Sequence, residues 1–314
     1  MRFYLGVTDN SWFTYLSTIS PEDVNFWQPG GSLAFKAIPK NAPFVFKLKY
    51  PLNAIGGLGF FSHYTTLPLS MAWEIFGDRN GTSTYAHFQR LILNYRTDKQ
   101  NLNPMIGCIV LTNPIFFEKK DWIPVPKNWS KSIIQGKTYS TDETIGQDLW
   151  TLIEQKAQQY LQGQEIANGS SILNNTLNEP AERYYSSILT KVRVGQGAFH
   201  VMVTDAYTRR CAISGEKTLP VLEAAHIKPY AEFGPHAISN GILLRSDIHK
   251  LFDSGYVTIT TDYKIEVSNK IKEQFENGRD YYKYHGQSML LLPHDEIDKP
   301  STTFLEWHNS KFNG

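Results

Sequence analysis

The stretch from Leu222 to Gly255 constrains this chain more than any other. It contains Leu222-Glu-Ala-Ala-His226-Ile-Lys-Pro229, then Asn240-Gly-Ile-Leu-Leu-Arg245, then His249-Lys-Leu-Phe-Asp253-Ser-Gly255. A histidine ends a short apolar segment, an asparagine follows fourteen residues later, and a second histidine comes nine beyond that. Glu223 to Ile227 suits a strand that stops at Lys228-Pro229. Ser246 to Asp253 predicts a short helix, because Ile248, Leu251 and Phe252 share one face at i, i+3 and i+4. Ser246 is the candidate N-cap and Gly255 the candidate stop. On such a helix His249 and Asp253 stand at i and i+4 and point to one side. Asp253 falls at the negative end of the helix dipole, a cost that a bound cation would offset.

These residue types carry the chemistry of phosphodiester hydrolysis. The reaction needs an activated water, neutralised phosphate charge and help for the leaving oxygen. His226 titrates near neutrality and is the candidate base. His249, with Asp253, is the candidate ligand pair for a hard divalent cation. Asn240 is placed to fix the loop between strand and helix. Arg245 is the candidate grip on a phosphate oxygen, in bidentate fashion. Each has an ordinary alternative. A lone histidine is more often a satisfied polar residue, Asn-Gly a turn, and Arg245 a surface ion pair. The ordered combination carries the reading.

That combination resembles the HNH, or ββα-metal, nuclease family. The likeness extends over Gly195-Gln196 with Phe199, Ala206-Tyr207, Arg210-Cys-Ala-Ile-Ser-Gly215, Ala225-His-Ile-Lys-Pro229, Asn240-Gly241, Leu251-Phe-Asp253 and Trp307-His308. It implies His226 as general base, Asn240 as the loop-orienting residue, His249 as metal ligand, and Mg²⁺ or Mn²⁺ with no organic cofactor. Two features depart from the family. Ala225 stands where many members carry a further Asp or His ligand, which shifts weight to Asp253, and no Cys-x-x-Cys knuckle is present.

A chain of 314 residues has room for two domains. Its two cysteines, Cys108 and Cys211, form neither a disulfide framework nor a zinc site and fit a reducing cytoplasm. No apolar run reaches the length of a membrane span, and the N-terminus lacks the pattern of a secretory signal. The net charge of +1 removes a whole-chain basic excess as a sign of nucleic-acid binding. Any basic surface must then be local, with clusters at Arg209-Arg210 and Lys270-Ile-Lys272.

Residues 1–162 predict several strands, few helices and aromatic loops. Arg2 to Thr8, Ala42 to Tyr50, Ala54 to Tyr64 and Met105 to Thr112 read as strands. Asp9 to Ser11 and the Phe26-Trp27 segment read as turn or loop. Glycines between Ala54 and Tyr64 predict a bulge or a close approach. Leu69 to Phe76, Thr84 to Tyr95 and Asp148 to Gln162 predict helices. The order is similar to the PUA-like superfamily, which includes EVE, ASCH and SRA domains. The likeness rests on Phe26-Trp27 before a glycine loop, the segment Lys40 to Lys47, and Ile55-Gly56-Gly57 to Phe61 leading to Trp73 and Phe76-Gly77. It implies a compact β-barrel with peripheral helices.

A reader of a modified base must pay for unstacking it, and aromatic faces repay roughly 1–3 kcal/mol per stacked base. The candidate pocket walls are Trp27, Phe26, Trp12, Phe61 and Tyr64, though any single aromatic is more often core. The expectation is an α+β chain: a PUA-like reader over 1–162, a linker over 163–180, and an HNH domain over 181–314. A helix is expected from 181 up to the Gly195 turn, and a last strand over Ser288 to Pro293. His236, His285 and His294 are expected to face solvent. The fusion resembles modification-dependent restriction endonucleases. That implies double-stranded DNA carrying a modified base, with modified cytosine the leading case, and a homodimer, since one HNH site cuts one strand. The rivals are an HNH nuclease without modification preference, a reader whose HNH domain is inert, and an RNA-directed enzyme.

Overall fold

A computed structural model describes residues 1–31, 34–167 and 195–314, with side chains from 162 to 167 left aside. The chain divides into two compact units, Met1–Val194 and Gly195–Gly314.

The first unit is mixed α+β and built on one seven-stranded sheet. Its strands are β1 (Arg2–Thr8), β2 (Asp23–Gln28), β3 (Pro43–Leu48), β4 (Ala54–Pro68), β5 (Met105–Phe116), β6 (Ile123–Pro124) and β7 (Gly136–Ser140). The spatial order is β2-β5-β4-β3-β1-β7, with β6 paired to β4. β1 and β3 run parallel; the other pairs are antiparallel. The sheet's path runs from β2 at one end to β7 at the other, and both of its faces are covered.

Strand alternation sorts the core into those two faces. Phe3, Leu5, Val45, Leu58 and Phe60 pack with Leu149, Trp150 and Ile153 of α4 (Thr144–Ala167). Phe44, Phe46, Leu111 and Phe116 pack with Trp12, Phe13 and Leu16 of α1 (Asn10–Ile19). Because both faces are covered, every residue of β3 is buried, Lys47 included. Gly57 explains the glycines of β4: a Cβ there would meet the Ile115 carbonyl oxygen at 2.0 Å. The β4–β5 register also shifts twice nearby, as a bulge requires.

Three local expectations change. Asp9 does not sit in a plain turn; its carboxylate caps α1, accepting from the Ser11 and Trp12 amides. Phe26 and Trp27 lie on β2, paired with Ile109 and Cys108, so this pair is strand rather than loop. β5 continues through Asn113-Pro114, with Asn113 at φ 45° and its amide donating to the Glu22 carbonyl. Helices α2 (Leu69–Phe76) and α3 (Tyr85–Asn94) fall where the periodicity places them. Helix α4 runs five residues past 162 into the expected linker. The rest of that linker, and the helix expected from 181, lie outside the described residues.

The second unit is small and layered. α5 (Gln196–Ala206) packs on the antiparallel pair β8 (Leu222–His226) and β9 (Gly241–Arg245). α6 (Ser246–Asp253) follows β9 directly. β10 (Val257–Ile259) and β11 (Ile265–Val267) form the expected hairpin. Short helices α7 (Lys270–Phe275) and α8 (Arg279–Tyr282) follow, and α9 (Thr302–Asn309) closes the unit. Ser288 to Pro293 keeps only one bridge, Lys264 to Ser288, instead of a full strand. Among the described residues, no helix is long and apolar enough to cross a membrane.

Candidate active site

The ββα arrangement follows from local sequence. Leu222, Ala225, Ile242, Leu243 and Leu244 are all buried, so residues on both faces of the β8–β9 pair are covered. Ile248 and Phe252 bury one face of α6, leaving His249 and Asp253 on another. The helix begins one residue earlier than a Ser246 cap would give. Arg245 occupies the cap position without a side-chain cap bond, and Asp247 supplies the acid of the first turn.

The 14-residue link from β8 to β9 hangs on Asn240, which is fully buried. Its Oδ1 accepts from the Lys228 amide at 2.9 Å, and its Nδ2 donates to the carbonyls of Lys228 and Pro235, both at 2.9 Å. Its backbone amide donates to Ala237 and its carbonyl accepts from Ile227. Gly234 lets the loop close tightly, since a Cβ there would stand 1.8 Å from the Lys228 carbonyl oxygen.

His226, His249 and Asp253 line one cleft of about 420 Å³, together with Phe199, His200 and Trp307. The two histidines differ in electrostatics. The His226 ring stacks on Phe199, with centroids 3.9 Å apart and an 11° interplanar angle. Burial, then the neighbouring His236 and His249, lowers its pKa to about 4, so it is unprotonated at neutral pH. For His249 burial is again the largest influence and pulls downward. Hydrogen bonds and charge from Asp253 and Glu223 together outweigh it, and the pKa ends raised. The Glu223 Oε2 lies 2.6 Å from Nδ1 of His249, and the Asp253 Oδ2 lies 3.3 Å from Nε2.

The donor set suits a hard cation at two points. Glu223 engages Nδ1 of His249, an outer carboxylate contact that fixes the tautomer and directs Nε2 toward Asp253. Between Nε2 and the Asp253 carboxylate a cation would take the place of a proton. Among the described residues no three His, Cys, Asp or Glu side chains gather as a metal shell. Ala225 is fully buried and offers no donor. A two-donor site leaves the remaining positions to water and phosphate oxygens, as Mg²⁺ tolerates.

Other candidates are placed differently. The Arg245 guanidinium is held by both carboxylate oxygens of Asp247, at 2.6 and 2.7 Å, which raises its pKa; the fork expected to hold phosphate is already engaged. Arg209 of the basic cluster pairs with Asp205 at 2.9 Å. His236 does not simply face solvent; its Nδ1 lies 2.9 Å from Nε2 of His226. His308 is buried, stacked on Phe252, with its rings bonded to Thr258 and the Phe252 carbonyl. His285 accepts from the Val267 amide, and His294 is fully exposed.

Sequence reading missed Glu223, His200 and His236 as members of this centre. Glu223 stands three residues before His226 on the same strand, where a carboxylate among alanines is the available signal. His236 follows Gly234-Pro235 in the loop tied by Asn240.

In the first unit the aromatic candidates separate. Trp12 is 3% exposed and packs edge-on to Phe26 and Phe46, with its indole N–H donating to the Asn25 carbonyl at 3.2 Å. Phe61 is likewise buried, against Phe35. Both are core, because β4 and α1 turn them inward, and neither forms an accessible pocket wall. Phe26, Trp27 and Tyr64 are only half-buried. Trp27 is held by its indole N–H on the Asn80 carbonyl at 3.0 Å, between Phe88 and Tyr95.

Comparison with known proteins gives one family match. Residues 211–260 match HNH_2, the HNH endonuclease family. No curated protein matches the chain. Among solved structures, the ASCH protein from Zymomonas mobilis shares 8% identity, with 46% of this chain and 93% of that one covered, at TM-score 0.34. A mutant of that protein shares 10%, covering 48% and 97%, at TM-score 0.35. The modification-dependent TagI restriction endonuclease shares 13%, covering 93% and 76%, at TM-score 0.28. These TM-scores are too low to carry an argument. The family match runs from Cys211 to just past β10 and takes in β8, β9 and α6. The chain therefore carries an HNH endonuclease domain at residues 211–260.

Proposed function

We propose that this protein is a DNA endonuclease in which His226 removes a proton from the attacking water. One observation carries the reading: a neutral His226 and a carboxylate-flanked His249 line the same cleft inside the HNH segment. The low pKa keeps His226 unprotonated at neutral pH, and its stack on Phe199 fixes the ring plane. Asn240 holds both ends of the loop that follows the base. His249 and Asp253 would hold a divalent cation, Mg²⁺ or Mn²⁺, which supplies positive charge to the phosphate and the leaving oxygen. Glu223 orients His249 for that task. Arg245 braces the start of α6 through Asp247.

The finer reading gives residues 1–162 the task of recognising a modified base, with modified cytosine the leading case, and residues 181–314 the cutting. Phe26, Trp27 and Tyr64 are the aromatics left for a stacking pocket once Trp12 and Phe61 are assigned to core. A double-strand break takes two HNH centres or two events, which favours a homodimer. Cys108 and Cys211 are buried thiols not joined in a disulfide, in keeping with a reducing cytoplasm. A second reading draws on Ala225: a reader of nucleic acid whose HNH domain no longer cuts.

Plasmid cleavage with Mg²⁺ or Mn²⁺ tests all of this. Unmodified DNA is compared with DNA carrying 5-methylcytosine or 5-hydroxymethylcytosine, with chelator and His226→Ala controls. Metal-dependent cutting of modified plasmid alone supports reader and nuclease together. Equal cutting of all plasmids keeps the nuclease and removes the reader. Cutting that survives in His226→Ala removes His226 as the base.

A further inference from the structure

His226 does not stand alone. Its Nε2 lies 2.9 Å from Nδ1 of His236, hydrogen-bonding distance between two imidazoles. The loop is built to hold His236 there. Asn240 grips the residue on each side, its side chain donating to the Pro235 carbonyl and its backbone amide to the Ala237 carbonyl, both at 2.9 Å. Tyr230 stacks on the other imidazole, with centroids 4.6 Å apart and an 11° interplanar angle. One asparagine thus fixes both the strand end carrying His226 and the turn carrying His236.

We propose that His236 is the second member of a two-histidine base and takes up the proton that His226 releases from Nε2. In the resting pair, His226 carries its proton on Nε2 and donates it to Nδ1 of His236. That leaves Nδ1 of His226 as the lone pair that meets water. When the water's proton moves to Nδ1, the Nε2 proton passes to Nδ1 of His236. The water oxygen forms its bond to phosphorus, the bond from phosphorus to the leaving oxygen breaks, and that oxygen is protonated from solvent. His236, with its own Nε2 protonated, becomes the imidazolium and later returns the proton to solvent.

The relay resolves a difficulty at His226. Burial first, then His236 and His249, make the His226 ring a poor place to keep positive charge. Passing the proton on moves the charge to a ring that lies against the face of Tyr230, where a cation is favoured. His236 touches no substrate in this scheme and acts through His226. The proposal rests on the nuclease reading above.

Two variants and one spectrum test it. His236→Asn keeps a hydrogen-bond acceptor near the Nδ1 position but cannot carry a proton; His236→Ala removes both. The expected result is a fall in kcat of ~10²-fold in both, with KM unchanged and thermal unfolding of the Asn variant like wild type. His236→Asn at the wild-type rate overturns the relay. Failure of the wild-type chain to cut DNA sinks the nuclease reading; activity retained in His226→Ala removes His226 as the base and the relay with it, whereas an inactive His226→Ala beside a fully active His236→Asn sinks the relay alone. The ¹⁵N imidazole spectrum of the full chain at neutral pH needs no cleavage. His226 should appear as the Nε2–H tautomer, and the Nδ1–H tautomer overturns the proposal.

Discussion

The two units treat their singled-out residues in opposite ways. In the second, residues far apart in sequence meet: Glu223 and Asp253 flank His249, and His236 meets His226. In the first, a set of aromatics chosen by type disperses, with Trp12 and Phe61 in the core and Phe26, Trp27 and Tyr64 half-buried. Polar residues at an ordered spacing are costly to bury without partners, so their positions carry information about each other. Aromatic side chains have no such requirement. They fill whichever face the sheet turns inward, and their type alone says little about a site.

Substitutions can break that comparison. His226→Ala should have the largest effect, lowering the cleavage rate by about 10²–10⁴-fold, with little change in unfolding because a smaller neutral group remains. A variant that unfolds instead would make His226 a core residue like Trp12. Trp12→Ala should cost about 3–5 kcal/mol in a denaturant titration, as deleting a buried indole does. Trp27→Ala should cost much less stability and instead weaken binding to a modified duplex, by roughly 1–3 kcal/mol if one base stacks on it. If both tryptophans destabilise equally, the distinction between core and pocket wall disappears.

Asn240→Ala should cost about 1–3 kcal/mol, because it removes three side-chain hydrogen bonds to the partly buried backbone of Lys228 and Pro235 and leaves a hole where a fully buried side chain stood. It should also lower the cleavage rate, since His226 and His236 lose their common anchor; full activity with lowered stability would restrict Asn240 to a structural part. The smallest expected effect concerns pH. Burial lowers the His308 pKa from 6.5 to about 4, against an opposing hydrogen bond to the Phe252 carbonyl. Below pH 6.5 the unfolded chain takes up that proton while the folded chain resists until about 4. His308 therefore stabilises the fold above that window, and the contribution is lost as pH falls through it. His308→Gln should flatten the fall of unfolding temperature across the window by a few degrees, on the order of 1 kcal/mol.

The sequence by itself determined the order of the candidate centre. Strand, loop and helix were legible between Leu222 and Gly255 because apolar periodicity, Pro229 and Gly255 punctuate them within a few residues, whereas β9 was read only as part of the loop between strand and helix. The i, i+4 spacing placed His249 beside Asp253 for the same reason: within one helix, spacing is geometry. The strands around Phe44 and Met105 and the helices at Leu69 and Thr84 were readable on the same grounds. Tertiary structure alone decided what crosses between elements. Glu223 reaches His249 over 26 residues, and His236 meets His226 across a turned loop. It also decided that Arg245 is engaged by Asp247, that Phe26-Trp27 joins the sheet through β5, and that Trp12 goes inward. Local propensity fixes which way the backbone runs over a few residues. Which side chains meet depends on how strands pair and how loops close, and that is settled only when the whole unit packs.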